Sequence, residues 1–273
     1  MASDKNTPWI DVEFKAARRA SFLNVQEYPL KEGDAVVVKV ERGMDLGRIR
    51  RVYQSNREAA ANTSDILRKA TQRDLQRQTK QRDRENQMAE RCRKKVARHK
   101  LPMKVIDAET QFDAKKLTFF FTANGRVDFR ELVKDLASEF RTRIELRQIG
   151  AREESRRQGG CGVCGIEKCC ITCINKFQPI TTDVAKDQNL PINPARLTGA
   201  CGKLKCCLMF ERDMYQQAIK EFPALRTKVQ TERGLGRIVR HDIYHDSVVL
   251  LHEDSTEEIL SLEEVNNLVQ PPQ

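Results

Sequence analysis

The sequence predicts an α+β chain: small β modules at both ends, a long charged helical segment, a central strand-helix-strand unit and a Cys-rich metal-binding region. Three observations carry that expectation. Apolar residues alternate with a period of two near both ends of the chain. A 3.6-residue apolar period appears in the middle. Eight of the nine cysteines fall within 47 residues. The 273 residues allow one to three domains at roughly 100–200 residues each, and five stretches can be separated: 1–55, 56–100, 101–150, 151–215 and 216–273.

In residues 1–55, Lys31-Glu32-Gly33-Asp34 reads as a turn. Val36, Val38 and Val40 then alternate with Val37, Lys39 and Glu41, a strand pattern. Gly43 and Gly47 are expected to punctuate the return, with Arg48–Val52 as the next strand. Residues 56–100 hold no Gly or Pro and carry 14 Lys and Arg against 6 Asp and Glu, a net charge of +8. Ile66, Leu67, Ala70 and Leu75 form a weak apolar stripe at one end, and Met88, Cys92 and Val96 another. Gln76 to Gln87 has no apolar residue. One long helix or a helical hairpin is expected, docked at its ends and solvated in the middle. Its charge fits either a solvated face or an RNA contact through the basic helix. With no aromatic interleaved, base stacking is not expected there.

In residues 101–150, Leu117, Phe119 and Phe121 alternate along a strand and Asn124-Gly125 is a turn signal. Asp128 with Glu131 three residues on resembles a capping box. Phe129, Leu132, Val133, Leu136, Ala137 and Phe140 then fall at helical spacing, before a returning strand at Arg143–Arg147. Residues 216–273 offer short strands at Lys228–Thr231, Arg237–Val239 and Val248–Leu251, consistent with a small SH3-like barrel. Here Glu232-Arg233-Gly234-Leu235-Gly236-Arg237-Ile238 echoes Glu41-Arg42-Gly43-Met44-Asp45-Leu46-Gly47-Arg48-Ile49, through either duplication or shared hairpin chemistry.

The cysteines stand at Cys161, Cys164, Cys169, Cys170 and Cys173, then at Cys201, Cys206 and Cys207. Cys164-Gly165-Ile166-Glu167-Lys168-Cys169-Cys170 repeats as Cys201-Gly202-Lys203-Leu204-Lys205-Cys206-Cys207, a duplicated C-G-x-x-K-C-C. Patterned thiols point to soft-metal ligation. Gly after the first Cys permits a tight turn, and Lys168 and Lys205 can offset thiolate charge. Adjacent cysteines diverge on a helix or strand, so Cys169 and Cys170 are not expected to share one ion. Each motif offers at most three thiolates, whereas a 4Fe-4S cluster or a structural zinc takes four. The remainder would come from Cys161, Cys173, Cys92 or a partner protein. All-Cys ligation at C-x4-C-C spacing favours an iron–sulfur cluster, with zinc as the alternative. A thioredoxin-type site at the C-x-x-C pairs lacks a β-α-β context around it.

His241 and His245 flank an expected hairpin loop and read as surface residues, and His99 and His252 stand alone. No P-loop, G-x-G-x-x-G, G-x-S-x-G or H-E-x-x-H occurs, and nothing assembles a nucleophile with its base. The longest apolar runs fall short of the ~18 residues of a transmembrane helix, and the N-terminus has no apolar signal core. Nine cysteines without an export signal suit a reducing compartment. The net charge of +10 favours acidic partners.

Leu101-Pro102-Met103-Lys104, the run Phe119 to Val133, Arg143 to Gly150, Lys186 to Leu190 and the two Cys-Cys motifs together resemble the PSP (polymerase-suppressor) C-terminal domain family, in its bacterial YaaT/RicT-like branch, over about residues 30 to 265. The resemblance implies a cytoplasmic, non-enzymatic regulatory subunit. It would join RicA-like and RicF-like proteins in a complex carrying 4Fe-4S clusters, which influences mRNA processing by the endonuclease RNase Y. By position, Cys164, Cys169, Cys170, Cys201, Cys206 and Cys207 match the family's cysteines. Cys161 and Cys173 stand outside that pattern.

Overall fold

The structure is a computed structural model that describes residues 8–40, 43–54, 65–174 and 177–269. It mixes helix and sheet with strand modules at both ends, as an α+β chain. The first module is a five-stranded antiparallel sheet. It comprises β1 (Trp9–Glu13), β2 (Arg19–Leu23), β3 (Ala35–Val40), β4 (Gly43–Tyr53) and β5 (Ile66–Lys69), in the order β2-β1-β4-β3-β5. β3 is buried on both faces. Val36 and Val38 join Ile10, Val12 and Ile49 in one core, while Val37 packs with Leu46 and Phe112 in another. That is why a Val-Val-Val run appears where one-faced burial would give strict alternation.

Two expectations for this region change. Gly47 lies inside β4, not in a turn: a Cβ there would strike the Val12 and Phe14 side chains and the Glu13 carbonyl, so glycine lets β1 approach closely. Gly43 opens β4 with φ of 127°, as a turn glycine should. Ile66 and Leu67 belong to β5, paired with β3, and not to a helix. The expected helical span from 56 to 64 lies outside the described residues.

The charged segment forms one helix, α1 (Gln72–Arg98). Thr71 caps it: its Oγ1 accepts from Asp74 N–H, and the Asp74 carboxylate accepts from Thr71 N–H. The hydrogen-bonded Arg68 guanidinium holds that carboxyl well below the usual range. Against expectation, the middle of α1 is not wholly solvated. Gln78 donates to the Leu46 carbonyl, and Gln81 to those of Thr110 and Gln111. Glu85 is buried at 3% exposure. It accepts from Thr110 N–H at 2.6 Å and from Lys15 Nζ at 2.8 Å. Polar docking of this kind leaves no apolar period in the sequence.

α1 packs on a three-stranded sheet of β6 (Lys104–Thr110), β7 (Lys116–Thr122) and β8 (Arg143–Gln148), with α2 (Arg130–Phe140) between β7 and β8. β6 and β7 are antiparallel, while β7 and β8 are parallel, so β7-α2-β8 is a β-α-β crossover. Ala89, Cys92, Val96, Val105, Leu117, Phe119, Leu132 and Leu136 form the shared core. The Asp128–Glu131 capping box does not form: Phe129 is the N-cap residue, Asp128 pairs with Arg130, and Glu131 pairs with Lys134.

α3 (Ala151–Gln158) and α4 (Cys169–Thr172) follow. The chain divides into two compact units, residues 1–175 and 176–273. The second holds α5 (Asp183–Asp187), α6 (Pro194–Leu197) and α7 (Cys206–Ala218). Its sheet consists of β9 (Lys228–Thr231), β10 (Gly234–Asp242), β11 (Ser247–His252) and β12 (Glu257–Ser261), followed by α8 (Leu262–Leu268). The four strands form an antiparallel sheet in the order β12-β11-β10-β9. Phe222, Val229, Ile238, Val248, Leu250 and Val265 make its core. His241 is buried there, its ring 5.3 Å from that of Phe222, and burial pulls its pKa down. It is not the surface residue its loop-flanking position suggested. His245 is exposed and bonds Asp242 at 3.0 Å. His252 is buried on Glu258, and His99 meets Asp135. Among the described residues, no helix is long and apolar enough to cross a membrane.

Candidate metal centre

Each C-G-x-x-K-C-C motif builds the same small hairpin followed by a helix. In the first, Gly162 N–H donates to the Ile166 carbonyl, Gly165 N–H to that of Gly162, and Lys168 N–H to that of Gly160. In the second, Gly199 N–H donates to the Lys203 carbonyl, Gly202 N–H to that of Gly199, and Lys205 N–H to that of Leu197. The single β-bridges are Cys161 with Glu167 and Thr198 with Leu204. Gly165 and Gly202 take φ of 78° and 72°, the left-handed region that favours glycine. Lys168 and Lys205 flank their helices at φ of −55° in both copies. One shift in numbering relates every pair. The backbone repeat also takes in Gly162 and Gly199, two residues before the first Cys of each copy, which extends the sequence repeat to G-x-C-G-x-x-K-C-C. Comparing the motifs two residues further upstream would have found that signal.

The thiols differ in setting. Cys161, Cys164 and Cys173 are exposed, Cys169, Cys201, Cys206 and Cys207 are half-buried, and Cys170 is buried. Cys169 and Cys170 are the first two residues of α4. Cys170 lies near the Arg156 guanidinium of α3, whose own pKa burial lowers against the pull of Glu153 and Cys170. Cys206 and Cys207 open α7, where the helix dipole favours a thiolate. At Cys207 burial and the nearby Glu211 carboxylate outweigh it and push the thiol up. Cys173 Sγ lies 3.6 Å from the Cys169 carbonyl.

The first hairpin is anchored within its own unit. Arg19 of β2 donates from one guanidinium nitrogen to the Ile171 and Thr172 carbonyls, both at 2.8 Å, and is itself paired with Glu13. These are end-of-helix carbonyls with no partner inside α4. Lys168 Nζ donates to the Ser155 carbonyl of α3 at 3.1 Å, so its ammonium serves the hairpin–α3 contact. α3 is fixed in turn by Arg157, which stacks 3.3 Å from the Phe120 ring centre and pairs with Asp107 at 2.9 Å. The sequence did not single out these arginines as supports of the site.

Cys92 is removed from the ligand candidates. It is fully buried in the α1 core, and burial pushes its thiol up to about 12. Among the described residues, no group of three or more His, Cys, Asp or Glu side chains is placed to hold a metal ion. The donor chemistry suits a soft metal; the first hairpin belongs to the first unit and the second to the second. A cavity of about 480 Å³ opens elsewhere in the first unit, lined by Arg18, Asp45, Glu109, Phe120 and Arg147 among others, and by no cysteine. Arg18 spans Asp45 and Glu109 there at 2.9 and 3.1 Å.

The PSP1 C-terminal conserved region matches residues 64–149, and the third domain of PSP1-like proteins matches residues 179–222. The second hairpin lies within the latter, while the first lies between the two matches. The chain is 40% identical over 232 residues to the stage 0 sporulation protein YaaT of Bacillus subtilis (strain 168), covering 84% of each chain. It is 36% identical over 165 residues to an uncharacterised protein of Schizosaccharomyces pombe, covering 49% of this chain and 22% of that one. It is also 48% identical over 50 residues to the protein PSP1 of Saccharomyces cerevisiae, 18% of this chain and 6% of that one. No solved structure matches the chain.

Proposed function

The chain belongs to the PSP1 family with the Bacillus YaaT protein, and from that membership we propose that it is a non-enzymatic regulatory scaffold subunit that binds an iron–sulfur cluster. Cys164, Cys169, Cys170, Cys201, Cys206 and Cys207 are the proposed ligand pool, with Cys161 and Cys173 as further donors. The observation that carries this reading is the duplicated hairpin, because the same hydrogen bonds and the same positive-φ glycine hold the cysteines in both copies. Eight small buried hydrophobes would need no such repeat. A cluster of type 4Fe-4S would supply an electron-accepting, oxygen-sensitive centre, and this chain's part is to hold it. At most three thiolates per hairpin leave at least one ligand to come from Cys161, Cys173 or a partner subunit.

In this reading the partners are RicA-like and RicF-like proteins, and the output is control of mRNA processing by RNase Y in the cytoplasm. The family membership supports a regulatory role. The sequence holds no recognisable nucleophile–base pair, in keeping with a scaffold.

Anaerobic purification from iron-replete cells tests the proposal. Iron, zinc and acid-labile sulfide would be measured per chain, alongside the visible spectrum. Iron and sulfide in similar amounts with a broad visible band are expected, and Cys164→Ser or Cys201→Ser should lower both. A colourless, iron-free protein carrying zinc without sulfide would overturn the cluster and assign the hairpins to zinc-stabilised structure.

A further inference from the structure

Seven of the nine exposed cations of α1 lie on one flank. Arg73, Arg77, Lys80 and Arg84 in its first half, then Arg91, Lys94 and Arg98 in its second, follow the alternating four- and three-residue steps of a single helical stripe. Gln87 fills the one remaining step, and no acidic residue of α1 falls on the stripe. The adjoining face is mixed: Asp83 follows Lys80 by three residues and Glu90 precedes Lys94 by four, and Arg82 and Arg93 lie further round. Arg93 there donates to the Val105 and Ile106 carbonyls and so belongs to the fold. Of the seven stripe cations, only Arg91 forms an ion pair among the described residues, with Glu139 of α2 at 3.4 Å. Arg77 lies over the Phe112 ring.

This arrangement is costly for a merely solvated helix. Like charges three and four residues apart each cost about 0.2–0.5 kcal/mol, while alternating signs would gain as much. Neighbouring stripe charges are ~5–6 Å apart, inside the screening length of ~8 Å at physiological salt, so their fields add. From Arg73 to Arg98 the stripe runs ~38 Å. No aromatic or large apolar side chain interrupts it, which leaves neither a base-stacking platform nor the apolar centre of a protein interface. A rigid, uniformly charged rod meets these terms: duplex nucleic acid carries one negative charge per ~1.7 Å of axis. We propose that this flank of α1 binds the phosphate backbone of a nucleic-acid duplex without reading its bases.

The test uses the full chain and a labelled DNA duplex of about 24 base pairs, longer than the ~38 Å stripe, with anisotropy titrations across a range of salt. With six or seven phosphates contacted, log K should fall against log salt with a slope of about −5 to −6. The triple variant Arg73→Gln, Lys80→Gln, Arg84→Gln should flatten the slope by about 2.7, and Lys94→Gln with Arg98→Gln by about 1.8. A charge-matched control on the exposed face of the C-terminal sheet, Lys228→Gln, Arg237→Gln, Arg240→Gln, should leave it unchanged. All substituted residues are exposed, and circular dichroism checks that the fold is kept. Equal flattening by the control would overturn the assignment, as would full-strength binding by the stripe variants. Absent duplex binding, with tight binding of poly-L-glutamate, would hand the surface to an acidic polypeptide instead. The metal content of the cysteine hairpins plays no part in this readout, so the two proposals fail separately.

Discussion

Replacing Lys15 by Met should turn the first unit's stability strongly pH-dependent. Lys15 Nζ donates to Glu85 Oε2 at 2.8 Å, Asp107 Oδ1 at 2.8 Å and the Ala108 carbonyl at 2.7 Å. Asp107 keeps Arg157 when Lys15 is lost. Glu85, at 3% exposure, loses its one ion-pair partner among the described residues. Stripping one partner from a buried pair costs about 3–5 kcal/mol, and the partial exposure of Lys15 places this case at about 3 kcal/mol. The sign of the pH effect follows from Glu85. Burial already raises its pKa, Lys15 opposes that rise, and the Lys15→Met variant removes the opposition. A carboxyl with a raised folded pKa penalises the fold above that pKa and recovers stability as pH falls through it. The variant's deficit should therefore be largest near pH 8 and shrink towards pH 5. Trp9, the single tryptophan, lies in β1 of the same unit and reports its unfolding in urea. Adding Glu85→Gln should restore about 2 kcal/mol, because the Thr110 N–H bond survives without a buried charge. A loss below about 1 kcal/mol, an equal loss at both pH values, or no rescue by Glu85→Gln would refute the argument.

Arg19→Met should free the Ile171 and Thr172 carbonyls at a cost of about 2 kcal/mol; amide exchange over residues 169–174 should quicken, and Cys170 should alkylate faster with a maleimide. Gly202→Ala meets open space, so only its φ of 72° is penalised. A loss of about 1 kcal/mol is expected, with Gly202→Asn losing less, read from exchange at Leu204 and Lys205. At Glu258 burial pushes the carboxyl up, but hydrogen bonds from His252 and Thr231 outweigh it and hold the pKa below the usual carboxylate range. Stability from that site is present above the ordinary range and is lost as pH falls through the lowered value. Protection factors of β11 and β12 amides, which correct for the intrinsic pH dependence of exchange, should thus fall on acidification, and less so in Glu258→Gln.

Much of the architecture is legible in the order of the amino acids. Leu117 and Phe119 point into the core that β7 shares with the helices, and the spacing from Leu132 to Phe140 repeats because α2 faces the same core. Periodicity records which side of an element is apolar: α2 is covered on one side, while β7 is buried on both, which is why its Phe119-Phe120-Phe121 run is continuous. The duplicated cysteine motif is equally plain, since its turn requires glycine at a fixed place. Other features depend on partners far along the chain. A buried Glu85 looks like one more surface charge until Lys15, seventy residues away, is brought beside it. Ile66 and Leu67 read as the start of a helix, yet pairing with β3 makes them a strand. The parallel pairing of β7 with β8, the closeness of β1 that demands Gly47, and the burial of His241 against Phe222 are likewise decided by which surfaces meet. The sequence alone determined the elements that fold by local pattern, and the repeat. Tertiary structure decided where charges are buried and which cations of α1 stay exposed, because burial and pairing are properties of two surfaces together.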